Sequence, residues 1–242
     1  MKLGKILKDT NLKIRLKCKG RQMIVLGKHI YLYGEKEKSA PLVIYNTFQG
    51  DGKELYESLK GFTDKAFTLA VIGDINWDDE MTPWECPPLY KNDSPCTGGA
   101  DAFLEKLTGT IIPEIKKELK NEPEYLAIAG YSLGGLFAIY SLFKTDVFHR
   151  AASASGSMWF PDFYEYVKNS SLKSEVDKVY FSLGDKEAQT KQPLLSTVDQ
   201  RTDEIKTVFD KKSITTIFES NPGNHFKDAD LRMAKGIAWM LQ

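Results

Sequence analysis

Histidine and cysteine are both scarce in this 242-residue chain, three of each. Cys18, Cys86 and Cys96 cannot all pair, and their spacing fits neither a disulfide framework nor a zinc site. An excess of either charge is missing too: Lys plus Arg and Asp plus Glu both number 33, so nothing in the balance points to nucleic acid, and there is no acidic tail. No apolar run is long enough to span a bilayer. The amino-terminal lysines are followed by neither the apolar core nor the small-residue cleavage site of a secretory leader. A cytoplasmic protein in a reducing compartment, with no membrane or nucleic-acid partner, is the expectation. Linkers, internal repeats and low-complexity segments are also absent, and 42% apolar residues suffice for one core, so a single domain over 1–242 is expected. The basic stretch at 2–21 is interleaved with Leu12, Ile14 and Leu16 and reads as the solvated face of early strands.

What the chain does have is alternation. Short apolar runs fall at 42–45, 67–72, 125–129, 151–154, 178–183 and 214–218, and helical stretches at 53–60, 99–120, 135–143, 197–209 and 228–241. Two or three antiparallel strands, at 12–17, 23–25 and 29–32, precede them. This order predicts an α/β fold: a mostly parallel central sheet with antiparallel amino-terminal strands, right-handed crossovers and helices on both faces. Ligands bind such a sheet beyond the carboxyl ends of its strands, so the loops that follow those strands should carry the site.

The strongest signal is one turn. Gly130, Tyr131, Ser132, Leu133 and Gly134 follow the strand at 125–129 and lead into a helix, with Gly135 as a third glycine. A nucleophile elbow has this strand-turn-helix setting, in which the serine takes a strained backbone and glycines let strand and helix approach without a Cβ clash. Glycine and serine also make ordinary turns, so the partners decide. A serine hydroxyl is a weak nucleophile until an imidazole takes its proton. In this topology the acid and the histidine follow the serine along the chain. His29 comes too early and His149 precedes any strand that could present an acid, which leaves His225 in the turn-rich loop 221–226. The acid belongs after an intervening strand, and the loop 184–187 offers both Asp185 and Glu187, which spacing does not separate.

A developing oxyanion needs two backbone N–H donors. Leu133, after the serine, supplies one; the polar, glycine-rich loop 46–52 supplies the other, from Thr47 or Phe48. Residues 76–97 hold Trp77, Trp84, four prolines and the acidic run Asp78, Asp79 and Glu80. Following the strand at 67–72, this stretch should lie over the same sheet edge, either walling the substrate or burying its own tryptophans. Trp84, Tyr131 of the elbow and Trp159 are the candidate substrate contacts.

GYSLGG at 130–135, SASGSMWF at 153–160, SLGDKE at 182–187 and NPGNHF at 221–226 span much of the chain. Together they resemble the esterase branch of the α/β-hydrolase superfamily, which includes enterochelin and other siderophore esterases, S-formylglutathione hydrolases, feruloyl esterases and antigen 85 acyltransferases. The resemblance implies an α/β-hydrolase fold and a serine carboxylic ester hydrolase that works through an acyl-enzyme on a small-molecule ester of siderophore, feruloyl or acetyl type. It implies no metal and no organic cofactor. Siderophore and feruloyl members often carry Gly-x-x-Glu after the acid strand, which tips the acid toward Glu187. One departure is visible: Asn46 and Thr47 stand where many members carry an aspartate-glycine pair. The alternatives are an acyltransferase with the same triad, or a non-catalytic binding protein of the same fold, which would ordinarily have lost one of the three groups. Nothing in the sequence marks an oligomeric state.

Overall fold

The computed structural model describes residues 21–173 and 175–242, so the strand expected at 12–17 and Cys18 lie outside the described residues. β1 (Arg21–Val25) and β2 (Lys28–Gly34) form a hairpin through Leu26 and Gly27, at φ 51° and 79°. Positive φ at both central residues is what a two-residue type I′ turn requires. β2 runs antiparallel to β4 (Thr68–Ile72), and from there the sheet is parallel through β3 (Leu42–Asn46), β7 (Leu126–Tyr131), β8 (Arg150–Ala154), β9 (Lys178–Gly184) and β10 (Thr215–Asn221). The strand order is β1-β2-β4-β3-β7-β8-β9-β10. β3 and β4 are buried along their whole length, which is why they read as uninterrupted apolar runs rather than alternating ones.

Helices cover both faces. α1 (Lys53–Leu59) and α8 (Ala229–Leu241) bury Leu55, Met233 and Ile237 against Val43, Val71 and Ala127. The opposite face carries α3 (Ala100–Lys106), α4 (Ile112–Lys116), α5 (Leu133–Ser141), α6 (Phe163–Asn169) and α7 (Val198–Asp210), packed on residues such as Ile44, Ile128 and Phe181. This is the α/β-hydrolase architecture, with the expected antiparallel strands at the amino-terminal edge. No helix among the described residues is long and apolar enough to cross a membrane.

Three local features differ from the sequence-based expectation. The helix expected at 99–120 is broken by a π turn at Leu107–Ile111, just before Pro113, whose missing N–H cannot continue the α ladder. α6 was not expected at all; it starts after Asp162, which sits at φ 61°. The stretch at 76–97 is not a plain loop: it contains α2 (Trp77–Glu80) and a two-stranded ribbon of β5 (Glu85–Cys86) and β6 (Cys96–Thr97). The ribbon sets Cys86 directly opposite Cys96, both as free thiols, a proximity that spacing alone did not reveal.

Candidate active site

The elbow is built by backbone. β7 ends at Tyr131 and α5 begins at Leu133, so Ser132 alone makes the reversal, at φ 56° and ψ −123°. Such a conformation costs about 1–3 kcal/mol and persists only when its surroundings over-determine it. They do: the Ser132 amide donates to the Ala154 carbonyl at 3.2 Å, and the Ser132 carbonyl accepts from Gly135, Leu136 and Ser157. Glycine is required on either side of this crossing. A Cβ at Gly130 would run into the Gly134 carbonyl, and one at Gly135 would lie 2.6 Å from Ser153 Oγ.

The imidazole and the acid are brought to the serine by the loops after β10 and β9. His225 Nε2 lies 3.1 Å from Ser132 Oγ, and its Nδ1 lies 2.8 Å from Glu187 Oε2. The other carboxylate oxygen of Glu187 accepts hydrogen bonds from the Gly184 amide at 2.6 Å, Ser155 Oγ at 2.7 Å and an Arg232 guanidinium N–H at 3.0 Å. Burial pushes this carboxyl up, and the hydrogen bonds from His225, the Gly184 amide and Ser155 outweigh it, leaving its pKa below the ordinary value. Asp185, the other candidate acid, points elsewhere: its carboxylate accepts the Gly223 amide at 2.7 Å and fastens the loop after β9 to the histidine loop.

Arg232 escaped the sequence reading. From α8 it reaches under the site, 1% exposed, and also donates to the carbonyls of Pro222 and Asn224, so that one guanidinium holds both the acid and the histidine loop. The available signal was its position: Arg232 interrupts the apolar stripe Met233, Ile237 and Met240 of the last helix, and an arginine on a core-facing stripe needs a partner. Ser155 was missed for lack of any motif; it follows β8 at φ 47°.

The remaining candidates separate: some border the site, and others are engaged elsewhere. The Leu133 amide opens α5, where helix geometry provides no intrahelical acceptor. Thr47 donates its amide to the Ile72 carbonyl at 3.0 Å, whereas the Phe48 amide has no acceptor among the described residues. Because Asn46 of β3 is in register with Gly130 of β7, the loops carrying Phe48 and Ser132 leave neighbouring strands at the same level. Tyr131 donates its hydroxyl to the His225 carbonyl at 2.7 Å, which makes it a support of the histidine loop. Trp159 and Trp77 line a cavity of about 570 Å³ that opens over Ser132 and His225. Trp84 instead packs edge-on or tilted among Tyr140, Phe160, Phe163 and Tyr166 and donates its indole N–H to the Pro161 carbonyl at 3.0 Å, so it anchors the stretch 76–97 to α6.

The Esterase family model matches residues 61–229, well over half of the chain. The chain belongs to the Esterase family. It is a carboxylic ester hydrolase with the α/β-hydrolase fold. The protein is similar to the uncharacterized protein YbbA of Bacillus subtilis (strain 168), at 28% identity over 176 residues, 68% of this chain and 70% of that one. Among solved structures, the esterase is similar to an IroE-like serine hydrolase from Shewanella oneidensis, with a TM-score of 0.75, 16% identity and coverage of 92% of this chain and 79% of the other. It is also similar to the siderophore hydrolase EstB of Aspergillus nidulans, with a TM-score of 0.70, 16% identity and coverage of 92% and 94%.

Proposed function

We propose that this esterase cleaves small-molecule esters through a covalent acyl-enzyme on Ser132. The observation that supports this most directly is the unbroken chain of hydrogen-bond distances from Ser132 Oγ to His225 and on to Glu187, 3.1 Å and 2.8 Å. In the mechanism His225 Nε2 takes the hydroxyl proton as Oγ attacks the ester carbonyl, and the amides of Leu133 and Phe48 receive the oxyanion. Collapse of the tetrahedral intermediate breaks the bond to the alkoxy oxygen, which leaves as the alcohol with the proton from His225. Water repeats the cycle, giving up its proton to His225 and releasing the acid. Glu187 holds the Nδ1–H tautomer and offsets the imidazolium charge that appears twice per turnover. The siderophore hydrolase among the structural relatives makes a siderophore ester one substrate type within this reading, beside feruloyl and acetyl esters. The test is a panel of p-nitrophenyl esters of graded chain length, with feruloyl and trilactone esters, on wild type and Ser132→Ala. The variant should fold normally and lose turnover on every ester; hydrolysis at the wild-type rate would refute the reading.

A further inference from the structure

The acidic run over the active site divides in two when each side chain is followed to its partners. Glu80 pairs with Lys28 at 2.5 Å and accepts the Asn76 amide at 2.8 Å. Asp79 accepts the Thr97 hydroxyl, tying α2 to β6. Both are structural. Asp78, the first of the three, has no ion-pair or hydrogen-bond partner for its carboxylate among the described residues, and it lines the same cavity as Ser132 and His225. Asp93 lines that cavity from the ribbon loop, likewise with a free carboxylate. The two feel each other: burial, and then the charge of Asp93, raises the Asp78 carboxyl above its ordinary value.

No Lys or Arg is found among the cavity's lining residues, while aromatic rings of Trp77, Trp159 and Phe226 are. Two unpaired carboxylates repel an anion and attract a cation, and indole faces hold an organic cation through their quadrupole. A metal is a poorer match, since two carboxylates fall short of the usual ligand count and the described residues place no third His, Cys, Asp or Glu to complete a site. Resting on the serine-esterase reading, we infer that the substrate carries a positive charge, as an ammonium group in its alcohol or acyl half, and that Asp78 and Asp93 select it.

The experiment compares three butyrate esters of similar size by pH-stat at low ionic strength: butyrylcholine, its neutral isostere 3,3-dimethylbutyl butyrate, and 3-(butyryloxy)propanoate. The order of kcat/KM is cation, neutral, anion, with steps of about tenfold, and the steps shrink in 0.5 M NaCl. In the double variant Asp78→Asn, Asp93→Asn the ratio of cationic to neutral ester falls to within about twofold, through KM. Independently of any variant, choline inhibits the wild type competitively and 3,3-dimethylbutanol does not. Equal rates on the three esters, a faster anion, or a cation preference that survives in the double variant would each overturn the selectivity and leave the esterase reading standing. Failure to cleave any of the three while the p-nitrophenyl or feruloyl esters are hydrolysed would overturn the selectivity alone, and failure on that whole panel as well would overturn both.

Discussion

The proposed nucleophile and the pair proposed to activate it are held in place by different means. Ser132 is set by main chain: one residue at φ 56° between a strand and a helix, with glycines where a Cβ would collide. His225 and Glu187 are set by side chains gathered from the ends of β8, β9 and β10 and from α8, with the buried Arg232 at the centre. Backbone construction is local and rigid, and depends on contiguous residues. Construction by a buried polar network is distributed, and every member becomes costly to remove once the others have been desolvated.

That contrast can be broken at several points. Among the groups that hold the imidazole, the largest effect is expected for Glu187→Gln, which removes the charge that balances the imidazolium and disturbs the tautomer; kcat should fall by roughly 10³–10⁴-fold with the fold retained. The same variant reads the carboxyl's pKa. Because Glu187 lies below its ordinary value of 4.5 in the folded state, the stability it contributes is present above that value and is lost as pH falls through the lower folded one. Acid unfolding followed by circular dichroism should therefore be less steep below pH 4.5 in Glu187→Gln than in wild type.

Next in size is Arg232→Met, which strands a carboxylate that is 3% exposed. Roughly 3–5 kcal/mol of stability should be lost in urea unfolding, and kcat should drop while KM for a neutral ester changes less, because the loosened groups are His225 and its loop. Near-wild-type stability would show that the network is optional. The smallest effect belongs to Asp185→Asn, which touches only the Gly223 amide. Its rate should change by less than about threefold and its stability by less than about 1 kcal/mol; a loss as large as that of Glu187→Gln would move the acid to Asp185.

The same contrast explains what could be read in advance. The parallel strands were legible because burial on both faces leaves continuous apolar runs, and the elbow because its requirements fall on six consecutive residues, 130–135. His225 followed from scarcity and chain order. Choosing Glu187 over Asp185 needed a family resemblance, since two positions in one loop differ only in which way the turn after Gly184 sends them. Arg232 and Ser155 belong to no local pattern; what selects them is three-dimensional convergence on one carboxylate oxygen. Trp84 illustrates the opposite limit, a large aromatic in a cavity-bordering stretch whose partners, Tyr140, Phe163 and Tyr166, lie in helices distant in sequence. The π turn before Pro113 and the short α6 escaped because brief helical segments have weak periodicity.

The central claim, a single serine activated by His225, is tested most directly by reacting the protein with a fluorophosphonate and locating the adduct by peptide mass mapping. One adduct on Ser132, formed with loss of fluoride and slowed by orders of magnitude in His225→Asn, is the result expected. Labelling at another serine, or equally fast labelling without the imidazole, would contradict it.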